Sequence, residues 1–399
     1  MDIRARNVLL YVDDAVRYDA VADRLAGMGA TYRTVAASSH TPTSFGSILT
    51  GLYPDASGVK SFRHSPAPGV RSLFDLESHR VTMPTAGGMN HSIAAMFGEP
   101  PRTDVEDLDA DEPWIHVLRR PGGHAPYDGF EWDGYEYREE SAADYLRRTA
   151  TDPDGARADY ARGVDASFAE FERVLDVLEA RGLLSETLVI YTSDHGEVLG
   201  EYGFFGHALL VCPETVYVPT CFVHPDLEPG HREGLFHHVD LLPTIASVLG
   251  VDGGRTHGTP WGEGRTRGYT HFEHVRYASL PTPLARLSEL TGGFHRTVRS
   301  TWDADGGHVF VEGSRYKSSL VYLGTLLQAP QGRQLLHNRA IRSMHRRFVP
   351  GHTVYGTPGF TADEARATID EVAAGATTVD TSRHLDDDTV EQLQQLGYI

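Results

Sequence analysis

Two short clusters in this chain combine side chains that bind divalent cations: Asp13-Asp14, and Asp194-His195 within Thr192-Ser193-Asp194-His195-Gly196. Carboxylate oxygens with an imidazole suit a hard or borderline cation such as Ca²⁺, Mg²⁺, Mn²⁺ or Zn²⁺. Each cluster follows a short apolar run, Asn7 to Val12 and Leu188 to Tyr191, with the profile of a buried parallel strand. The C-terminal ends of such strands are where ligand sites collect in open α/β sheets. Aspartates at strand ends also serve as helix N-caps, so either cluster alone fits a structural role equally well.

The elements that must position these residues alternate. A helix is expected from about Ala15 to Gly27, ending in Ala26-Gly27-Met28-Gly29. Another starts near Thr43 and runs to Thr50, preceded by Ser38-Ser39-His40-Thr41-Pro42. Glu112 to Leu118 reads as a strand, with Arg119-Arg120-Pro121-Gly122-Gly123-His124 as the loop after it. A long helix from about Ala156 to Arg181 carries Val164, Phe168, Phe171, Val174, Leu175 and Leu178 at helical spacing and stops at Gly182. Val239 to Leu249 is a further helix. Strand, helix and strand in alternation predict an α/β fold with a doubly wound, mostly parallel sheet flanked by helices. Beyond about Gly268 the character changes. Thr297–Trp302 and His308–Val311, joined by Asp303-Ala304-Asp305-Gly306-Gly307, predict an antiparallel hairpin. The expected organisation is a catalytic domain over 1–268 and a smaller C-terminal α+β lobe over 269–399, in which Asp386-Asp387-Asp388 reads as a solvated helix start.

The bulk composition narrows the partners. A formal net charge of −19 over 399 residues argues against nucleic acid and against anionic membrane surfaces. Only two of the 36 basic residues are lysines, Lys60 and Lys317. That is the composition of a salt-adapted protein, whose self-repulsion high salt screens, or of a genome whose codons favour arginine. Cys212 and Cys221 are too few for a disulfide framework and fit reduced, buried thiols. No stretch reaches the ~18 apolar residues of a membrane span, and the N-terminal apolar run is too short for a secretory signal. These features predict a soluble cytoplasmic protein, and nothing in them specifies an oligomeric state.

Several blocks, taken in order, resemble the sulfatases. Asn7-Val8-Leu9-Leu10-Tyr11-Val12-Asp13-Asp14 resembles their opening strand. The run from Thr41-Pro42-Thr43-Ser44-Phe45 through Thr50-Gly51-Leu52-Tyr53-Pro54, with Gly58-Val59 after it, is similar to their nucleophile segment. Thr192-Ser193-Asp194-His195-Gly196-Glu197 with Leu199-Gly200 looks like their second metal-binding stretch, and His237-His238-Val239-Asp240-Leu241-Leu242-Pro243-Thr244 like a later helix start. The closing Leu396-Gly397-Tyr398 is similar to the family's tail. The chain is thereby identified as a sulfatase-like member of the alkaline phosphatase superfamily.

The resemblance implies that Asp13, Asp14, Asp194 and His195 hold one divalent metal ion and that Thr41, nine residues before Thr50, is the nucleophile. Sulfatases proper have a cysteine there, oxidised to formylglycine, with a fixed proline and arginine where this chain has Thr43 and Phe45. Formylglycine therefore cannot form at this site. Phosphodiesterases and phosphoglycerol transferases of the superfamily look similar and use an unmodified threonine. Their second metal needs an aspartate four residues before a histidine, where Arg120 precedes His124. One metal is thus expected, with Arg120 and His124 on the ester's charged oxygens. His124-Ala125-Pro126-Tyr127 also resembles the sulfatase His-x-Pro-Tyr element. His207, twelve residues after His195, is the expected general acid. Val81 to Gly98 holds no counterpart of the sulfatase Gly-Lys-Trp-His element.

Four functions compete. A threonine intermediate lacks the formylglycine route of sulfate release, so water must attack the central atom. That favours phosphate or phosphonate esters (phosphodiesters or phosphonate monoesters) over a sulfuric ester hydrolase. A transferase handing the group to an alcohol is the third possibility. A non-catalytic binding protein is the fourth, and the complete metal set argues against it. In each enzymatic case the substrate is a small anionic ester.

Overall fold

The computed structural model describes residues 3–84, 88–98, 100–127, 140–275, 295–349, 351–385, 389–390 and 393. Asp386-Asp387-Asp388 and Leu396-Gly397-Tyr398 lie outside them. The apolar runs form strands β1 (Asn7–Asp13), β4 (Trp114–Arg120) and β5 (Thr187–Ser193), each buried throughout. With β2 (Ala30–Val35), β3 (Arg80–Thr82), β8 (Tyr217–Val223) and β9 (Gly230–His237) they build a seven-stranded sheet in the order β3-β4-β1-β5-β8-β2-β9. Every neighbouring pair is parallel except those of β8, which runs antiparallel to β5 and β2. The short strands β6 (Val198–Leu199) and β7 (Phe205–Gly206) pair antiparallel.

Strand alternation divides the core. Val8, Leu10, Ile115, Val117, Leu188 and Ile190 pack with Phe45, Ile48 and Leu49 of the helix Thr41–Thr50 and with Leu242 and Ile245 of the helix Leu241–Leu249. Leu9, Tyr11, Leu118, Val189 and Tyr191 face Phe168, Phe171 and Leu178 of the helix Pro153–Ala180 and Val21 and Leu25 of the helix Tyr18–Ala26. Consecutive strand residues thus serve opposite layers.

Beyond Gly268, β10 (Gly268–Val275), β11 (His295–Trp302), β12 (Gly306–Val311) and β13 (His352–Gly356) form an antiparallel four-stranded sheet in that order. The expected hairpin is β11–β12. Two differences from expectation bear on the site. The helix starts at Thr41, because Pro42 pre-sets its first turn, and ends at Gly51 in the left-handed region (φ 65°). Strand β4 runs to Arg120, so the two arginines are strand residues rather than loop.

Candidate active site

Asp14, Asp194 and His195 converge, all fully buried, with one ligand atom from each within 4.8 Å of the others. His195 Nε2 lies 3.6 Å from Asp14 Oδ1 and 3.8 Å from Asp194 Oδ2. Asp194 Oδ1 accepts from Ala15 N (3.1 Å) and His195 N (2.8 Å). Its Oδ2 is buried without a hydrogen-bond partner. An ionised oxygen left so costs several kcal/mol, which a divalent cation would offset. The donor set of two carboxylates and one imidazole therefore fits a metal. Burial holds the His195 imidazole well below its usual pKa, in the neutral form that ligates. Burial and the Asp14 charge push the Asp194 carboxyl well up. Burial would raise Asp14 too, but Arg119, His124, His195 and His207 outweigh it and hold that carboxyl well below the usual range.

The backbone here is tightly constrained. Ala15 follows Asp14 at φ 59°, a strained conformation for a residue with a Cβ, and Tyr160 Oη donates to its carbonyl at 3.0 Å. Gly122 and Gly123 carry the loop after β4 over this turn, where Gly123 N donates to Asp14 O (2.8 Å). A Cβ at Gly122 would come within 2.8 Å of Asp14 O, and one at Gly123 within 2.6 Å of Ala15 O. Only glycines let this loop bring His124 to the site.

Thr41 Oγ1 lies 3.2 Å from His195 Nε2 at the N-terminus of its helix, where the helix dipole is positive. The neighbouring hydroxyls are engaged elsewhere: Thr43 Oγ1 donates to Lys60 O (2.9 Å) and Ser44 Oγ to Ser38 O (3.0 Å). Ser39 is buried but makes no contact with the three converging groups among the bonds described. His207 lies tilted against His195, with ring centroids 4.2 Å apart, and donates from Nδ1 to Glu197 Oε2 at 2.7 Å. Burial would lower the His207 pKa, but Glu197, with Asp14 and Asp194, outweighs it and raises it. Tyr127 Oη donates to the other Glu197 oxygen at 2.8 Å. His124 donates from Nδ1 to Ala125 O (2.7 Å) and sits 5.3 Å from the His207 ring. Burial brings its pKa down to about 4.

Two expected residues face away. Asp13 is separated from the other three ligands: its carboxylate accepts from Ser167 Oγ and from Tyr191 Oη (2.5 Å) in the opposite layer, and burial raises its pKa to about 7. Arg120 pairs with Glu170 at 3.1 Å, beneath the helix Pro153–Ala180. Arg119 faces the converging groups instead, donating to Asp14 Oδ2 with its side chain only 4% exposed. Both corrections have one cause. Asp13 and Arg120 are register partners, and so are Val12 and Arg119, so adjacent residues point to opposite faces. Arg119, Glu197 and Tyr127 were given no role from sequence. Extending β4 by two residues and continuing the alternation of Ile115 and Val117 would have selected Arg119 over Arg120. His237 and His238 are held by backbone carbonyls: His237 donates to Tyr269 O (2.7 Å) and His238 to Ser193 O (2.9 Å).

Comparison with known proteins agrees with this fold. The sulfatase family profile matches residues 101–251. The low-salt glycan biosynthesis sulfotransferase Agl7 of Haloferax volcanii is 30% identical over 98% of this chain and 96% of its own length. The phosphonate monoester hydrolase of Agrobacterium radiobacter shares the fold, with a TM-score of 0.57 and 16% identity over 86% of this chain and 96% of that one. A 2-O glycosaminoglycan sulfatase superposes with a TM-score of 0.59 and 13% identity over 93% of this chain and 91% of its own. Sulfatase-family members are metal-dependent, and this chain brings together a buried acidic and histidine cluster of that kind. The chain belongs to the sulfatase family, the ester-cleaving enzymes of the alkaline phosphatase superfamily.

Proposed function

We propose that this enzyme cleaves a singly negative phosphorus ester, a phosphodiester or phosphonate monoester, through a covalent Thr41 intermediate. The observation that carries the reading is the Thr41 hydroxyl beside His195, at the edge of the three converging ligand groups. Asp14, Asp194 and His195 would hold one divalent cation, which lowers the pKa of a nearby hydroxyl and neutralises ester charge. Asp13 would brace the strand end from behind. The Thr41 proton passes to solvent as the alkoxide forms, the Thr41 Oγ1–phosphorus bond forms, and the ester P–O bond breaks. His207 gives its Nε2 proton to the departing oxygen, with Glu197 keeping the imidazolium oriented. Water then attacks phosphorus, returns a proton to His207, and releases Thr41, which regains its own. Arg119 and His124 would meet the ester's charged oxygens. Arg119 and the cation would supply the positive charge, since burial keeps His124 neutral, and that charge suits a singly negative ester better than a doubly negative phosphate monoester.

A second reading shares the first step but moves a sulfuryl group from a sulfate ester to an alcohol. The near full-length relative named as a sulfotransferase favours it. The test is kcat/KM on matched nitrophenyl phosphodiester, phosphonate, sulfate and phosphate esters, in high salt with several divalent metals, with and without a sugar alcohol acceptor. Phosphodiester or phosphonate should lead and phosphate monoester trail. A sulfate lead of about tenfold, ~1.4 kcal/mol, with sulfated acceptor as product, replaces the first reading by the second. Thr41→Ala should lose on the order of 10³-fold while Thr41→Ser keeps activity. Full activity in Thr41→Ala refutes both readings.

A further inference from the structure

The net charge conceals a local reversal. From Gly313 to Ala362 the chain has no aspartate or glutamate but seven cations, so the remainder is more acidic than the −19 total. Arg315, Lys317, Arg333, Arg339, Arg342 and Arg346 are all exposed, and none pairs with a carboxylate among the described residues. This stretch holds the helices Arg315–Gln328, Pro330–His337 and Ile341–Phe348.

The first helix buries Ser318, Val321, Tyr322 and Thr325. Its opposite face should be polar if it met only water. Instead Tyr316, Leu320, Leu323 and Leu327, spaced four, three and four residues apart, form one stripe. Tyr316 is 70% exposed, Leu323 52% and Leu327 76%, and Leu336 on the next helix is 67% exposed. These are four of the six exposed large hydrophobic side chains among the described residues. Arg315 and Lys317 flank the stripe on either side.

We propose that this face docks the enzyme on an anionic lipid surface, the stripe entering the headgroup–acyl boundary while Arg315 and Lys317 beside it meet lipid phosphates. Aliphatic side chains and a tyrosine ring bordered by Arg and Lys are what an interfacial helix presents. A second copy is a poorer occupant, since a two-fold contact would set these cations against their own copies. The acidic remainder of the molecule is repelled by the same surface, which fixes the orientation. Average charge argues against such a surface, but local charge governs contact within a Debye length.

The experiment is flotation of the full chain with vesicles of phosphatidylcholine alone or mixed with phosphatidylglycerol, in a salt where the protein is folded. The wild type should float with anionic vesicles at least about tenfold more than with zwitterionic ones. Leu323→Ser/Leu327→Ser and, separately, Arg315→Gln/Lys317→Gln should each lower that partition about tenfold, with the same circular dichroism and nitrophenyl ester turnover. No flotation, or flotation unchanged in both variants, overturns the proposal. A vesicle-free dimer that the leucine variant converts to monomer also overturns it, because a second copy then covers the face.

Discussion

Replacing Arg119 and Arg120 one at a time separates the structural reading from the sequence reading. Methionine keeps much of the volume and removes the charge. Arg119 is 4% exposed beside a fully buried Asp14, so solvent screens its field little. At an effective dielectric near 20, one charge about 4 Å from another contributes ~4 kcal/mol. Removing a single donor aimed at developing charge costs ~2.7–4 kcal/mol, or 10²–10³ in kcat. Arg119→Met should therefore lose about a hundredfold or more in kcat/KM. Arg120→Met instead breaks a mostly buried pair, a loss of up to ~3–5 kcal/mol in stability. Glu170 keeps Arg173 at 2.7 Å, so the lower end is expected. The activity of Arg120→Met per folded molecule should change less than about threefold, ~0.7 kcal/mol. The assay is kcat/KM on the best nitrophenyl ester, with bound metal measured in each variant so that a metal-depleted Asp14 site is not mistaken for lost substrate contact. Arg119→Met within threefold of wild type at full metal content, or a hundredfold loss in Arg120→Met, refutes the assignment.

Metal analysis of protein purified without chelator should give about one equivalent per chain, since two-metal sites need a second set of close ligands. Asp194→Ala should abolish binding while Asp13→Asn keeps it; the reverse pattern would restore Asp13 as a ligand. His271 is buried between Asp55 (Nδ1–Oδ2 3.3 Å) and Glu273 (Nε2–Oε1 3.0 Å). Burial lowers its pKa, but the two carboxylates outweigh this and raise it. The stability it gives is therefore present below the ordinary histidine pKa near 6.5 and lost as pH rises through the raised value. Wild type should lose melting temperature over that window and His271→Gln should not; parallel profiles would exclude His271 as the cause. Melting temperature should also rise between low and molar potassium chloride, as screening relieves repulsion among the excess carboxylates. A flat profile would leave codon bias as the account of the lysine-poor composition.

Much of this site could be read in the linear chain. Apolar runs ending in Asp13-Asp14 and Asp194-His195 specify strands with acids at their C-terminal ends, because burial on both faces needs continuous apolar residues. Gly51 marks the left-handed stop of the helix that carries Thr41, although the expected start near Thr43 lies inside the observed one. The ordered blocks around these residues carry the family. What the sequence left open was which of two neighbours faces the site. Asp13 and Asp14, like Arg119 and Arg120, are chemically identical pairs. Their division between layers depends on the last residues of β1 and β4 and on the parallel register that sets Asp13 beside Arg120 and Val12 beside Arg119. Glu197 likewise meets His207 only because the β6–β7 turn carries His207 back onto it. Residue type and order fix the available chemistry locally, but a side chain's face is decided by strand pairing between segments about a hundred residues apart, which no local pattern encodes.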